Sequence, residues 1–225
     1  MEIVLVRHGE PEWIVDGLNV DNPPLTERGH RQAAAMAQYL RDEHLDEVHC
    51  SPLVRARQTA APLLAALDRP ESVEAWLEEI RNPIWHGTPQ EKSEEAYRLD
   101  RARASHERWA GLEGGEPPSE FVERIHAGLL HFLADHGIHR VESELPMWSV
   151  AHPDRRIALV AHAGTNSVII CHLLGIAPTP WEWDRFVIGH ASVSRLESMQ
   201  MGDGHSFSLT ALSDDEFLAR PDRTR

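Results

Sequence analysis

The chain opens on Glu2-Ile3-Val4-Leu5-Val6, a run dense in β-branched residues that stops at Arg7-His8-Gly9 and reads as a short buried strand. Thr26 stands where it can cap a helix running to about His44, with Ala33, Met36, Ala37 and Leu40 along one face. Glu47–Cys50 predicts a second short strand, stopped at Ser51-Pro52, and Leu53–Leu67 a helix bent at Pro62. Ser72–Leu77 predicts a third strand. Pro118–His136 carries the best helical pattern, since Phe121, Ile125, Leu129, Phe132 and Leu133 recur at helical spacing. Arg156–Ala161 is the clearest buried strand, followed by a helix from about Thr165 to Leu174 that Gly175 ends. Two last strands fit Ala191–Leu196 and Ser206–Leu212, and the polar residues 213–225 are expected to fray.

Strands alternating with helices predict an α/β fold: one domain over 1–225, three layers, a mainly parallel sheet between helices. Two stretches break the alternation. Residues 80–117, with Trp85, Tyr97, Trp109 and the Gly114-Gly115 turn, read as an inserted cap over the sheet. Residues 137–155 read as a long polar connection. No apolar run approaches the roughly 20 residues of a membrane helix, and the first residues lack the basic start of a secretory signal. The expectation is a cytoplasmic protein.

Charge narrows the partners. A formal net charge of −14 argues against nucleic acid and against anionic membrane surfaces. A small anionic substrate would need a local basic pocket. Nearly every basic residue is Arg, with Lys92 the only Lys, a bias that suits forked oxyanion recognition. Cys50 and Cys171 lack metal-ligand spacing and read as buried free thiols. No carboxylate cluster or His/Cys spacing asks for a metal, and no cofactor is expected. Homodimers are the commonest soluble assembly, but the oligomeric state stays open.

Four pieces carry chemistry: Arg7-His8-Gly9-Glu10, Ser51 to Ala60 with Arg55 and Arg57, Leu77-Glu78-Glu79-Ile80, and Leu159 to Gly164 with His162. All fall at strand exits, the edge of a parallel sheet where ligands bind. Guanidinium groups there can grip phosphoryl oxygens and neutralise the charge of in-line displacement. A neutral imidazole can attack phosphorus, a carboxylic acid can protonate the departing alkoxide, and the helix starts after Ser51-Pro52 and His162 offer N–H donors to an anion. Arg57, two residues from Arg55, faces elsewhere and suits a salt link; Glu78 competes with Glu79 for one role. His86, His106 and His126 read as solvated or capping, and His190 as a weaker candidate for the pocket. Trp181 and Trp183 read as core packing by default.

In these four pieces and their order, the sequence resembles the histidine phosphatase superfamily in its phosphoglycerate-mutase-like branch. The resemblance covers about residues 1–80 and 118–196, and Pro23-Pro24-Leu25-Thr26-Glu27-Arg28-Gly29 with Gln32-Ala33 adds to it. It implies a six-stranded, mostly parallel sheet. It implies that His8 is phosphorylated, that Arg7, Arg55 and His162 bind the phosphoryl group, and that Glu79 donates and later accepts the proton. Departures are Ala163-Gly164 where Gly-Gly is commoner, Ile14 where many members have Asn, and Pro83 where a Gly usually follows the acid. The activity so implied is hydrolysis of a small phosphorylated metabolite without metal. Alternatives are mutase-type phosphoryl transfer, which calls for a more basic cap than Arg98, Arg101, Arg103 and Arg108 among acidic neighbours, and a non-catalytic phosphate-binding module.

Overall fold

The computed structural model describes residues 1–141 and 145–225. In chain order it runs β1 (Glu2–Arg7), β2 (Ile14–Val15), β3 (Leu18–Asn19), α1 (Glu27–Leu40), β4 (Glu47–Cys50), α2 (Val54–Ala66) and α3 (Gln90–Ala102). Then come α4 (Pro118–Asp135), β5 (Ile138–Arg140), β6 (Trp148–Val150), β7 (Arg156–Ala161), α5 (Ala163–Leu174), the short α6 (Glu182–Arg185), β8 (Val193–Met201) and β9 (Gly204–Asp214).

Period-two alternation splits the core in two. From β1, Ile3 and Leu5 enter one cluster with α4 and α5, while Val4 and Val6 enter the other with α1 and α2. In β7, Ile157, Leu159 and Ala161 join the first, and Ala158 and Val160 the second. Both strands are therefore apolar throughout their middle, over 3–6 and 157–161, as a sheet covered on both faces requires. The layers are helix, sheet, helix. Among the described residues no helix is long and apolar enough to cross a membrane.

The sheet differs from the expected one in strand number and direction. Among the described residues it has seven strands in the order β4-β7-β1-β8-β9-β6-β5, of which only β4, β7 and β1 run parallel. The rest is antiparallel because the chain after α6 returns as a long hairpin, β8 against β9. Part of the expected connection 137–155 also pairs, β5 against β6, and buries Trp148 completely; its residues 142–144 lie outside the described residues.

The third strand expected at Ser72–Leu77 does not form. Val73 bridges to Cys50, and Ala75–Leu77 then wind into a 3₁₀ turn. Trp76 causes this by lying flat on α4, where a Cβ at Gly128 would stand 2.3 Å from the Trp76 Cβ. The turn buries Leu77 and carries Glu79 to the carboxyl edge of the sheet.

The tail is also firmer than expected. Leu218 is buried, and Gln32 donates to the Asp222 carbonyl (2.7 Å) and to Thr224 Oγ1 (2.9 Å). Polar residues that find buried partners do not fray.

Thr26 caps α1 by accepting from the Gly29 N–H at 3.0 Å. Gly29 also lets α1 press onto the loop after β1: a Cβ there would sit 2.2 Å from the Glu10 carbonyl oxygen, and one on Gly9 would sit 2.6 Å from that of Gly29. Gly29→Ala is expected to cost at least about 2 kcal/mol by overpacking. For a chain of this length that lowers Tm by roughly 4–8 °C, which differential scanning calorimetry would read.

Candidate active site

The parallel strands β1, β4 and β7 end together, and a cavity of about 1190 Å³ opens above them, lined by Arg7, His8, Arg55 and Glu79. These residues come from β1, the loop after it, the first turn of α2 and the loop after the 3₁₀ turn. Residues 80–117 supply much of the opposite wall, including Trp85, Tyr97 and Arg101. His162, at the exit of β7, lies just beneath, its ring centroid 5.1 Å from that of His8. All five candidate site residues therefore converge.

His8 is buried, and its Nδ1 lies 2.7 Å from the Gly9 carbonyl. A carbonyl only accepts, so Nδ1 carries the hydrogen and Nε2 keeps a lone pair. Burial, then the charges of Arg55 and Arg7, hold the ring well below the usual histidine range, so it is neutral near pH 7. The backbone behind it is fixed by the Gly9 N–H donating to Thr59 Oγ1 at 2.9 Å.

Two guanidinium groups flank this ring. Arg7 donates to the Ile188 carbonyl (2.5 Å) and to His190 Nε2 (3.0 Å), and Arg55 lies under the Trp13 ring, 4.8 Å from its centroid. Burial draws each down to about 10, with Glu79 opposing, which leaves both charged at neutral pH. Arg7 Nε, Arg55 Nε and Nη1, and His162 Nδ1 are buried without a protein partner among the described residues. Buried donors of this kind are rare unless a ligand uses them, and an anion is the ligand that fits.

His162 Nε2 lies 2.7 Å from Ser51 Oγ, which also accepts from the Leu53 N–H at 3.4 Å. A Ser51 hydroxyl that donates to His162 Nε2 puts the ring's own hydrogen on Nδ1, the atom left to serve an anion. Burial first, then Arg55 and Arg7, keep this imidazole neutral.

Glu79 is placed against the start of α5. Its Oε2 accepts from the Gly164 N–H at 2.9 Å and its Oε1 from the Ile80 N–H at 3.0 Å. Burial raises its pKa above the ordinary glutamate value, against those N–H groups and the nearby arginines. A Cβ on Gly164 would stand 2.5 Å from Glu79 Oε1, so this position is the glycine the site needs while Ala163 is tolerated beside it. The N–H groups expected to serve an anion are partly taken: Gly164 serves Glu79, and the Val54 N–H donates to Asn22 Oδ1 at 3.1 Å. Glu78 pairs instead with Arg81 (2.7 Å), and Arg57 with Glu71 (2.7 Å).

Two further residues hold the site. His190 packs against His8, centroids 5.7 Å apart, between Arg7 and the tail, where its Nδ1 donates to Thr224 Oγ1 at 2.9 Å. Burial takes it down to about 3. Ala191 behind it adopts φ +55°, a strained conformation for alanine that tends to mark functional sites. Arg124 of α4 grips Glu116 through two bonds (2.8 and 2.9 Å) and donates to the Glu78 and Glu79 carbonyls (3.0 and 3.3 Å). No motif flags it. The remaining departures sit in the wall: Ile14 lines the cavity, Pro83 packs on Gly115, and Trp183 faces the cavity as well.

The family model of the histidine phosphatase superfamily, branch 1, matches residues 3–141 and 138–211. Phosphoserine phosphatase 1 of Hydrogenobacter thermophilus is 30% identical over 179 residues, which span 78% of this chain and 77% of that protein. A probable phosphoglycerate mutase of Salmonella choleraesuis is 24% identical over 202 residues, 88% of this chain and 85% of the other. Among solved structures, a mycobacterial glucosyl-3-phosphoglycerate phosphatase in complex with VO3 superposes with a TM-score of 0.69 at 25% identity. It covers 93% of this chain and 97% of its own.

Proposed function

The chain belongs to the histidine phosphatase superfamily, and from that premise we propose that it is a metal-independent phosphomonoesterase acting on a small phosphorylated metabolite through a phosphohistidine at His8. The observation that carries the reading is the tautomer of His8. Its hydrogen is committed to the Gly9 carbonyl, which leaves Nε2 a free lone pair in a cavity that Arg7 and Arg55 also line and where their guanidinium groups can take a phosphoryl dianion.

The substrate phosphate binds to Arg7, Arg55 and His162 Nδ1–H, and His8 Nε2 attacks phosphorus in line with the ester oxygen. The P–O bond breaks as the P–N bond forms, and the leaving oxygen takes the proton of Glu79. Positive charge growing on the imidazole is met at Nδ1 by the Gly9 carbonyl. Glu79, now a carboxylate, takes a proton from water, whose oxygen displaces His8 from phosphorus. Phosphate leaves with His8 neutral and Glu79 protonated again. The arginines supply the charge neutralisation that a metal supplies elsewhere.

Cap charge favours hydrolysis over mutase chemistry. Arg98 pairs with Glu95 (2.6 Å), and Arg108 (3.1 Å) and Arg103 (3.4 Å) share Asp100, so three of its four named arginines already have acidic partners. The test is phosphate release from p-nitrophenyl phosphate and from a panel of alkyl phosphates in EDTA. Release from any of them supports the reading; phosphoryl exchange between glycerate phosphates without release contradicts it.

The shifts also fix the sign of the pH dependence. Glu79, raised by burial, keeps its proton at higher pH than an ordinary glutamate and loses it as pH climbs further. His8, lowered by burial and cations, is already neutral there and adds no alkaline gain. Turnover of alkyl phosphates is therefore expected to be higher at mildly acidic than at alkaline pH, and a rate that rises steadily to about pH 9 contradicts the assignment.

A further inference from the structure

Among the described residues, one cluster brings three metal-ligating groups together, and it lies away from the cavity: Glu47, His49 and His136. Glu47 and His49 stand two apart on β4, the edge strand, and so share a face. His136 ends α4 and reaches the same face. His49 Nε2 is 2.9 Å and His136 Nε2 3.1 Å from one and the same oxygen, Glu47 Oε2. Arg155 holds the other oxygen, Oε1, at 2.7 Å.

Donor counting shows what the cluster lacks. His136 Nδ1 lies 2.6 Å from the Phe132 carbonyl, an acceptor, so a neutral ring spends its single N–H there. Its Nε2 lone pair then faces a carboxylate oxygen. Two lone pairs meet favourably only with a proton or a metal ion between them. His49 turns its Nε2 to the same point, while its Nδ1 is held by Ser72 Oγ (3.0 Å) and lies 3.4 Å from Glu74 Oε1. A carbonyl, hydroxyl or carboxylate on the far nitrogen is the support that metal-bound histidines use. The rings stand nearly perpendicular, 89° apart, with Phe132 packed against both.

We propose that Glu47 Oε2, His49 Nε2 and His136 Nε2 bind one divalent transition metal ion, for which zinc is the best match. Two imidazoles and one carboxylate are zinc ligands, and zinc holds such atoms at about 2.0–2.2 Å in a tetrahedron. The three ligand atoms already lie within 4.8 Å of one another, and water completes the sphere. The ion clips the end of α4 to the edge strand. Glu47 begins the strand whose other end leads to Ser51, about 13 Å away by strand rise, so the site stands apart from the phosphoryl chemistry and neither depends on the other.

The test uses the full chain, stripped with EDTA, dialysed, and titrated with Zn2+ at neutral pH by calorimetry. One zinc is expected to bind per chain, His49→Gln and His136→Gln are each expected to weaken it by about 100-fold or more, and His8→Ala is expected to leave it unchanged. That last variant matters because the chain has 15 histidines and three of them line or underlie the cavity. No saturable uptake, uptake unchanged in both glutamine variants, or uptake lost in His8→Ala would overturn the proposal. If a variant fails to fold, modification of the wild type by diethyl pyrocarbonate decides. Zinc that shields His49 and His136 supports the site, and unchanged modification of both refutes it.

Discussion

His8→Ala is expected to keep its fold and to lose phosphatase turnover by roughly 10⁴-fold or more, the scale on which removing a covalent nucleophile acts. The side chain is buried, and its neighbours Thr59, His162 and His190 are each held by a bond that does not pass through the His8 ring, to the Arg55 carbonyl, Ser51 Oγ and Thr224 Oγ1 in turn, so alanine leaves a small hole rather than a collapsed site. Arg7 and Arg55 remain, and with them the binding of phosphate. The variant should therefore still bind inorganic phosphate or vanadate with an affinity near that of the wild type, as calorimetry would read. Loss of binding together with turnover would point to a structural role for His8. His190→Ala is the contrast: it removes a support of Arg7 and should cost far less than loss of the nucleophile.

Glu79→Gln should separate the two chemical steps. Glutamine can still accept from the Gly164 N–H, so the geometry at the start of α5 survives, but it has no proton to give. With an alkyl phosphate the first step needs that proton, and its rate is expected to fall by about 10²–10⁴-fold. With p-nitrophenyl phosphate the leaving group departs without protonation, so the first turnover stays fast. Water then lacks its base, and phosphoenzyme accumulates. Rapid-mixing kinetics should show a burst of p-nitrophenolate followed by a slow steady rate. Equal losses on both substrates with no burst would remove Glu79 from the acid–base role. Gly164→Ala presses a methyl group into the same carboxylate and should reproduce part of this defect, with a lower kcat and a nearly unchanged KM.

Much of this arrangement was legible in the sequence because burial on both faces writes a strand as an unbroken apolar run. β1 and β7 are such runs over 3–6 and 157–161, while β4 was read from its Val48 and Cys50 and its stop at Ser51-Pro52; the residues at their exits had to share an edge. The antiparallel half was not legible as a sheet, since pairing of β5, β6, β8 and β9 depends on hairpin geometry rather than on local hydrophobicity. Glu79 was found by motif although the element before it is a turn: Trp76 lying on Gly128 bends the chain, and nothing in the residues 72–77 alone announces that contact. Arg124 was hidden, and His190 stood out only weakly, for another reason. Each is a lone polar residue whose role comes from burial beside groups distant in the chain, Glu116 and the Glu79 carbonyl for one, Arg7 and Thr224 for the other. The strained Ala191 has no signature at all. The same holds for Glu47, His49 and His136, whose common face exists only once α4 has packed beside β4.

The most direct test of the account is to trap the intermediate. Wild-type protein mixed with substrate, quenched in alkaline denaturant and digested, should yield a peptide carrying one phosphoryl group on His8, stable to base and lost in acid. The Glu79→Gln variant should yield more of it. Phosphate release without any phosphorylated peptide, or a phosphoryl group mapped to His162 or His190 in place of His8, would contradict the central claim.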